Sequence, residues 1–403
     1  MKKTSLLRNK NLILLLLGGF ISSLGTSIRM IALPLYIFNK TGSYLSLTMM
    51  MVILMGPSVI LAPYAGAIAD KFNRKKIMVI SDFYRAVIIL LILFVANSTA
   101  TLFLLCFLLS VGEVFFGPAY KSLYPELFDK EILGEVNTLF SITLNFSYIV
   151  GPIIGGLLVF NKALAFDGIS FLVSGLLLMF VSYKPAPKEN IHKQTKRFEG
   201  FLEVKSVILE NPNLRNIILL VLGLAFSFGL IPAILPGYIS EVLKLPNVYY
   251  GYFLSALTFG GLIGATLSKF IIKKIEIEKL FNIAYIIYFL MFLLVPLSKD
   301  PTIIIGIFLI RGMAMTILGI TSMTLEQKLV PGELLGKFYG MLLSIQTLIG
   351  LFSRVISGLV AEFSTSTILF YIAFLIMFVT FIFVTFSSKL NRAPKEIPSN
   401  KIV

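Results

Sequence analysis

Ionisable side chains are scarce in this 403-residue chain. Asp, Glu, Lys and Arg make up only 14% of it while hydrophobic residues reach 57%, whereas a soluble globular domain is about one quarter charged. The chain is therefore read as a polytopic membrane protein. Two further shortages limit its chemistry. The one cysteine, Cys106, lies inside an apolar run, and the one histidine, His192, lies in a polar stretch. Neither a disulfide framework, a thiolate metal site nor His-based acid–base catalysis can be built from these. The stretch Gly-x-x-x-x-Gly-Lys-Ser/Thr does not occur, so the chain has no P-loop with which to hydrolyse ATP. No enzyme activity, cofactor or metal is expected.

What is present is a succession of long apolar runs. A helix needs roughly 20 apolar residues to cross the hydrocarbon core. Cutting at the polar breaks gives twelve segments, at about 11–38, 44–69, 77–96, 100–120, 136–160, 164–183, 214–240, 249–272, 279–298, 302–325, 337–361 and 366–387. The runs are too long and too evenly apolar for barrel strands. The first run passes Leu12 to Phe38 without a small-residue cleavage site near its midpoint, so it is read as a retained span and not as a signal peptide. With the N-terminus placed in the cytoplasm, the cytoplasmic segments hold 27 Lys and Arg residues and the external loops hold 4. This asymmetry places both termini inside. It also accounts for the net charge of +15 without a nucleic-acid partner.

Residues 184–213 form the longest polar stretch and divide the runs into six and six. The expected organisation is an N-terminal six-helix bundle (1–183), a cytoplasmic linker (184–213), a C-terminal six-helix bundle (214–387) and a cytoplasmic tail (388–403). Within the linker, Phe198–Leu209 reads either as an amphipathic surface helix or as solvated chain. The halves look duplicated. Gly66-Ala67, Lys71-Phe72 and Lys75-Lys76 recur 198 residues later as Gly264-Ala265, Lys269-Phe270 and Lys273-Lys274. Glu131-x-Leu133-Gly134 and Gly156-Leu157 recur 202 residues later, at Glu333-x-Leu335-Gly336 and Gly358-Leu359. Parallel repeats about a central axis are a transporter arrangement.

Two stretches go beyond what a membrane span needs. The turn after the second run reads Gly66-x-Ile68-x-Asp70-Lys71-x-Asn73-Arg74-Lys75. Topology alone would use its cations but not Asp70, and a second pair, Asp82 and Arg85, opens the next span. The fifth run carries Ser147-x-x-x-Gly151-Pro152-x-x-Gly155-Gly156, where small residues four apart permit close helix approach. The first stretch resembles the loop motif Gly-x-Leu-x-Asp-Arg-x-Gly-Arg-Arg/Lys of the major facilitator superfamily. The second resembles the family's exporter motif Gly-x-x-x-Gly-Pro-x-x-Gly-Gly, with Ser147 at the first Gly. Phe115–Ala119 and Leu123–Leu127 also look like its macrolide-efflux, enterobactin-exporter and lysophospholipid-carrier branch. The resemblance implies twelve helices in two pseudo-symmetric six-helix bundles. It also implies that Asp70, with Arg74 or Arg85, latches the two halves on the cytoplasmic side.

Charges within spans are costly and mark a function or a partner. Arg29, Glu113, Arg311 and Arg354 lie within the first, fourth, tenth and eleventh runs. Glu113, the one carboxylate read as deep in a span, suits a proton-binding group or an ion pair with Arg29 or Arg311. Where the family's drug antiporters carry an Arg on the fourth span, this chain has Ser110 and Val111. Arg354 reads as a counter-charge for an anionic substrate group or for Glu362. Asn145, Gln346, Tyr36, Phe228 and Tyr148 are candidates to line a cavity. Asp167 and Glu241 read as interfacial, and the lysines of the 66–76 turn as topological.

The expectation is a monomeric efflux carrier of the cell membrane. It would work by alternating access, exchange protons, and export amphipathic small molecules such as macrolide-like drugs. A siderophore or lysophospholipid exporter or flippase is the alternative within the branch. A non-transporting sensor would need a further soluble domain or a cluster of functional groups, and the sequence shows neither.

Overall fold

Helix starts are written into the polar breaks. Asn9, Ser43, Ser98, Asn211 and Asp300 each turn a side-chain oxygen back onto an amide of the following first turn, which satisfies donors that the helix leaves open. A computed structural model of the chain describes residues 8–95, 98–185 and 197–392. The helices are α1 (Lys10–Thr41), α2 (Tyr44–Lys71), α3 (Arg74–Val95), α4 (Thr99–Leu127), α5 (Leu133–Leu157), α6 (Phe160–Met179), α7 (Arg197–Glu210), α8 (Pro212–Leu230), α9 (Val248–Ile271), α10 (Ile277–Leu294), α11 (Pro301–Leu329), α12 (Leu335–Phe363) and α13 (Thr367–Arg392). Twelve of them, all but α7, are long and apolar enough to cross a membrane. No strand occurs among the described residues. The protein is an all-α, multi-pass membrane protein.

Two segments depart from the expected boundaries. The seventh run was expected to continue to 240, but α8 stops at Leu230 and the chain resumes only as a short turn, Leu235–Gly237, and a π-helical turn, Tyr238–Val242. Pro232 and Pro236 lack the amide that a continuous helix needs. At the end of α1, Gly42 adopts φ 61°, and its amide closes on Phe38 O; a left-handed residue there lets α2 begin two residues later. The linker's residues 186–196, including His192, and the tail's residues 393–403 lie outside the described residues. The rest of the linker is mostly α7. Its Val204 is buried against Leu214, Ile218, Phe338 and Leu342 of α8 and α12, so this stretch is neither solvated chain nor laid on a membrane surface alone.

Helix contacts fall into two sets. In the first six spans α1 packs on α5 and α6, α3 on α4 and α6, and α2 on α4. In the last six, α11 packs on α9 and α10, and α8 on α12 and α13. Between the sets run two main seams, α5 on α9 and α2 on α12. Twelve crossings return the chain to the face where it started, here termed the terminal face. The close approaches described in both seams sit toward the opposite face. Ser255 donates to Ile149 O at 2.6 Å, Gly251 abuts Pro152 and Gly156 abuts Val248. In the other seam Gly358 abuts Thr48, and Glu362 of α12 accepts from the Leu45 amide at 3.0 Å and the Ser43 hydroxyl at 3.1 Å. Tyr44 adds a 2.7 Å bond to Glu241. Toward the terminal face the same helices carry exposed Ile60, Tyr64, Ile142, Phe270 and Leu343.

Candidate functional site: a charged half-bundle facing a one-sided cavity

The residues of the charged turn divide into two clusters. In the first, Asp70, near the end of α2, lies 3.5 Å from Arg74, the first residue of α3, and its side chain remains 75% exposed. Arg74 is held by its own half. It forms an ion pair with Glu126 of α4 and donates to Ser122 O at 3.1 Å and Ala69 O at 3.3 Å. Lys75 donates to Met179 O and Val181 O at 2.8 and 2.7 Å, binding the C-terminal end of α6, where open carbonyls favour a cation. Lys75 is thus structural as well as topological. Asn73, where the motif has Gly, accepts from the Lys76 amide at 3.0 Å and caps α3. Tyr183 donates to Glu126; burial and that carboxylate push its phenol up to about 12, so it remains a proton donor. Lys71 lies 5.9 Å from the Phe72 ring, and Gly66 faces open space.

The second cluster lies inside the first six spans. Asp82 and Arg85 pair with each other in full burial, and the Arg85 guanidinium lies 4.5 and 4.1 Å from the Phe116 and Phe171 rings. Arg85 is therefore no partner of Asp70. Beside this pair Arg29 donates from Nε to Asp167 Oδ2 at 2.6 Å and pairs through Nη2 with Glu113. Arg29 and Asp167 are 3% and 0% exposed, whereas the Glu113 side chain is 34% exposed. Asp167 was expected at the interface. It is buried because α6 begins at Phe160, which sets Asp167 two turns into the helix and leaves Lys162 in the first turn.

The fifth-run motif is a packing surface for this cluster's helix. Gly151 and Gly155 lie against the Leu24–Ile31 stretch of α1, and Gly156 against α9 of the other set. Ser147 donates to Thr143 O at 3.1 Å and to Phe20 O at 3.4 Å. Small residues here bring α1, α5 and α9 together at one level.

Two cavities lie along the two seams. One, of about 300 Å³, is lined by Met55 of α2 and by α8, α11 and α12, including Phe228, Met315, Gln346 and Arg354. Another, of about 400 Å³, follows the polar side of α5 through Asn137, Ser141 and Asn145 and reaches Leu262 of α9. Tyr148 lines a third, smaller cavity next to Arg85. Tyr36 lies elsewhere, stacked on Phe160 at 3.7 Å. Arg311 is enclosed by Phe292, Tyr288 and Phe308 at 4.3, 5.2 and 5.7 Å and donates to the Tyr288 hydroxyl at 3.2 Å. It does not meet Glu113. Arg354 does not meet Glu362, which is engaged at α2 instead.

A bundle of twelve spans with seams closed at one face, cavities between its halves and a buried ionic cluster suits solute passage. The family model described as Major Facilitator Superfamily matches residues 15–353. The chain belongs to this superfamily. Among curated relatives, YfiS of Bacillus subtilis, an uncharacterized MFS-type transporter, is 26% identical over 90% of this chain and 89% of its own. "Putative bacilysin exporter BacE" of Bacillus amyloliquefaciens is 29% identical over 62% of this chain, which spans 65% of that protein's length. Macrolide efflux protein A of Streptococcus pyogenes is 24% identical over 61% of this chain and 64% of its own. A mutant of the nucleoside transporter NupG superposes with a TM-score of 0.78 at 15% identity, covering 94% of this chain and 100% of NupG. A bacterial homologue of the iron transporter ferroportin, in an inward-facing state, gives 0.73 at 16%, covering 95% and 99%. At these identities the two structures show the fold alone.

Proposed function

We propose that this transporter is an efflux carrier of the cell membrane with both termini cytoplasmic, exchanging protons for an amphipathic small molecule by alternating access. The observation that carries the reading is one-sided closure. With the terminal face cytoplasmic, the structure is a state sealed outside and open inside. The halves, 1–183 and 214–387, then rock about the seams, and the cavities change sides. The macrolide and bacilysin names among the relatives favour export. In the complementary state Asp70, exposed here and carried by a turn anchored through Arg74 and Lys75, meets a helix N-terminus of the other half and holds the cytoplasmic side shut. Susceptibility profiling of a host with and without the protein, across macrolides, dyes and siderophores, tests efflux. A profile identical in both hosts contradicts it.

Two substitutions test the parts. Asp70→Asn keeps the anchoring of Arg74 by Glu126, so membrane insertion is expected to be unchanged while efflux falls at least several-fold; normal efflux would remove the latch. Glu113 is the accessible carboxylate of a triad that holds two carboxylates and one guanidinium, which makes it the group to test for coupling. Glu113→Gln is expected to abolish the response of vesicle transport to a pH gradient. A response equal to the parent's would place the proton elsewhere.

A second reading, export or flipping of a lysophospholipid or siderophore, is favoured by one observation: the cavity at Arg354 is apolar apart from a few donors.

A further inference from the structure

Of the four arginines inside spans, two are matched by carboxylates: Arg29 by Asp167 and Glu113, and Arg85 by Asp82. Arg311 is matched by aromatic faces and by the Tyr288 hydroxyl. Arg354 differs from all three. It is 9% exposed, and its hydrogen bond, 2.9 Å from Nη1, goes to the Gly350 carbonyl one turn earlier on the same helix. No carboxylate lies within ion-pair distance of it among the described residues. The acid nearest in sequence, Glu362, caps α2 through Leu45 and Ser43. The guanidinium borders the 300 Å³ cavity together with Gln346, Thr347, Phe228, Leu224 and Met315. Gly350 makes room for it, since a Cβ there would lie 3.2 Å from Nη1.

A guanidinium removed from water without a counter-ion is expensive to keep, and its unused donors form a planar fork suited to carboxylate or phosphate oxygens. We propose that this cavity is an anion-head subsite: it takes the carboxylate or phosphate of an amphipathic solute at Arg354 and seats the apolar body against Phe228, Leu224 and Met315. Gln346 supplies a further donor beside the head. The volume, at the lower end of ligand pockets (roughly 300–1,000 Å³), fits one short acyl or aryl body. Met55, from the other half, completes the wall, so rocking of the halves dismantles the site and releases the solute. The proposal rests on reading the cavity as the transport site, but equilibrium binding tests it without transport or a proton gradient.

Purified full-length protein in phosphatidylcholine nanodiscs is titrated with radiolabelled decanoate, with empty nanodiscs as the blank. Decanoate is expected to bind saturably and to be displaced by octyl phosphate but not by octylammonium. Arg354→Gln is expected to weaken binding about tenfold or more, and Arg354→Lys, which keeps the charge, by less. A second arm uses lysophosphatidylglycerol as competitor. Displacement of decanoate at lower concentration than octyl phosphate assigns the head to a lipid, and weaker displacement assigns it to a free amphipathic acid; both support the anion subsite. Octylammonium competing as well as octyl phosphate, or Arg354→Gln binding decanoate like the parent, overturns it. If Arg354→Gln does not yield folded protein, Gly350→Ala, which crowds the guanidinium without removing its charge, is expected to weaken decanoate binding several-fold; unchanged binding then overturns the proposal.

Discussion

Arg29→Leu is expected to be the most damaging single substitution in the molecule. It leaves Asp167, fully buried, and Glu113 facing each other with no cation between them. Breaking a buried pair by removing one partner costs about 3–5 kcal/mol, and here one removal orphans two carboxylates. The second oxygen of Asp167 already has no partner in the structure, so it has no alternative bond to fall back on. The expected result is loss of most monodisperse protein after extraction, with a clear drop in the melting temperature of what remains. Arg29→Lys should recover part of it, because one ammonium can meet one carboxylate but not hold two in the guanidinium's fork. The double variant Arg29→Leu/Asp167→Asn should be more stable than Arg29→Leu alone, because it removes the charge that the single variant strands. Parent-like stability of Arg29→Leu would show that the triad carries no structural weight.

That triad also shows what a sequence can and cannot deliver. The twelve runs, their order and the family were legible because bilayer thickness writes itself into the length of each apolar segment, and because the turn at Gly66–Lys75 places a carboxylate where topology needs none. Glu113 and Arg29 stood out individually as charges in apolar surroundings. Their third partner did not. Asp167 lies near Lys162, and a lysine reads as loop, yet its long stem lets the ammonium reach the interface from inside a helix. The same error of a few residues hid Glu126: α4 runs to Leu127, so Glu126 belongs to a helix and turns toward Arg74. Arg85 was grouped with Asp70 because both are near in sequence. Helix geometry separates them, since three turns of α3 carry Arg85 deep into the bundle. Glu241 read as interfacial and Glu362 as a candidate partner of Arg354, because their actual partners, Tyr44 and the α2 N-terminus, come from the other half of the chain. No local pattern reports a contact that exists only when two halves close.

Gly251→Ala is expected to shift the conformational balance more than any other change of a single methyl group. A Cβ at 251 would lie 2.8 Å from the Pro152 carbonyl carbon and 3.2 Å from Ile153 Cα, both backbone atoms that no rotamer change can move aside. The α5–α9 seam must therefore open at the closed face. Overpacking of this kind costs about 1–3 kcal/mol, and for an equilibrium between two states that corresponds to about 5- to 150-fold in their ratio. The penalty falls only on the state in which the seam is closed, so it moves the population instead of unfolding the protein. Thr48, buried in the α2–α12 seam of the same face, provides the reporter. In a Cys106→Ser background, Thr48→Cys should react slowly with a membrane-impermeant maleimide applied from the closed face, and adding Gly251→Ala should speed the reaction at least several-fold. Gly306→Ala, whose Cβ would meet nothing within 4 Å, should leave the rate unchanged. If Gly251→Ala leaves labelling as slow as in the parent, the seam yields locally and is not the closure on which alternating access depends. If both seams open together, as faster labelling at Thr48 would show, the two halves move as rigid units and one tight glycine contact on α9 is enough to bias the whole bundle.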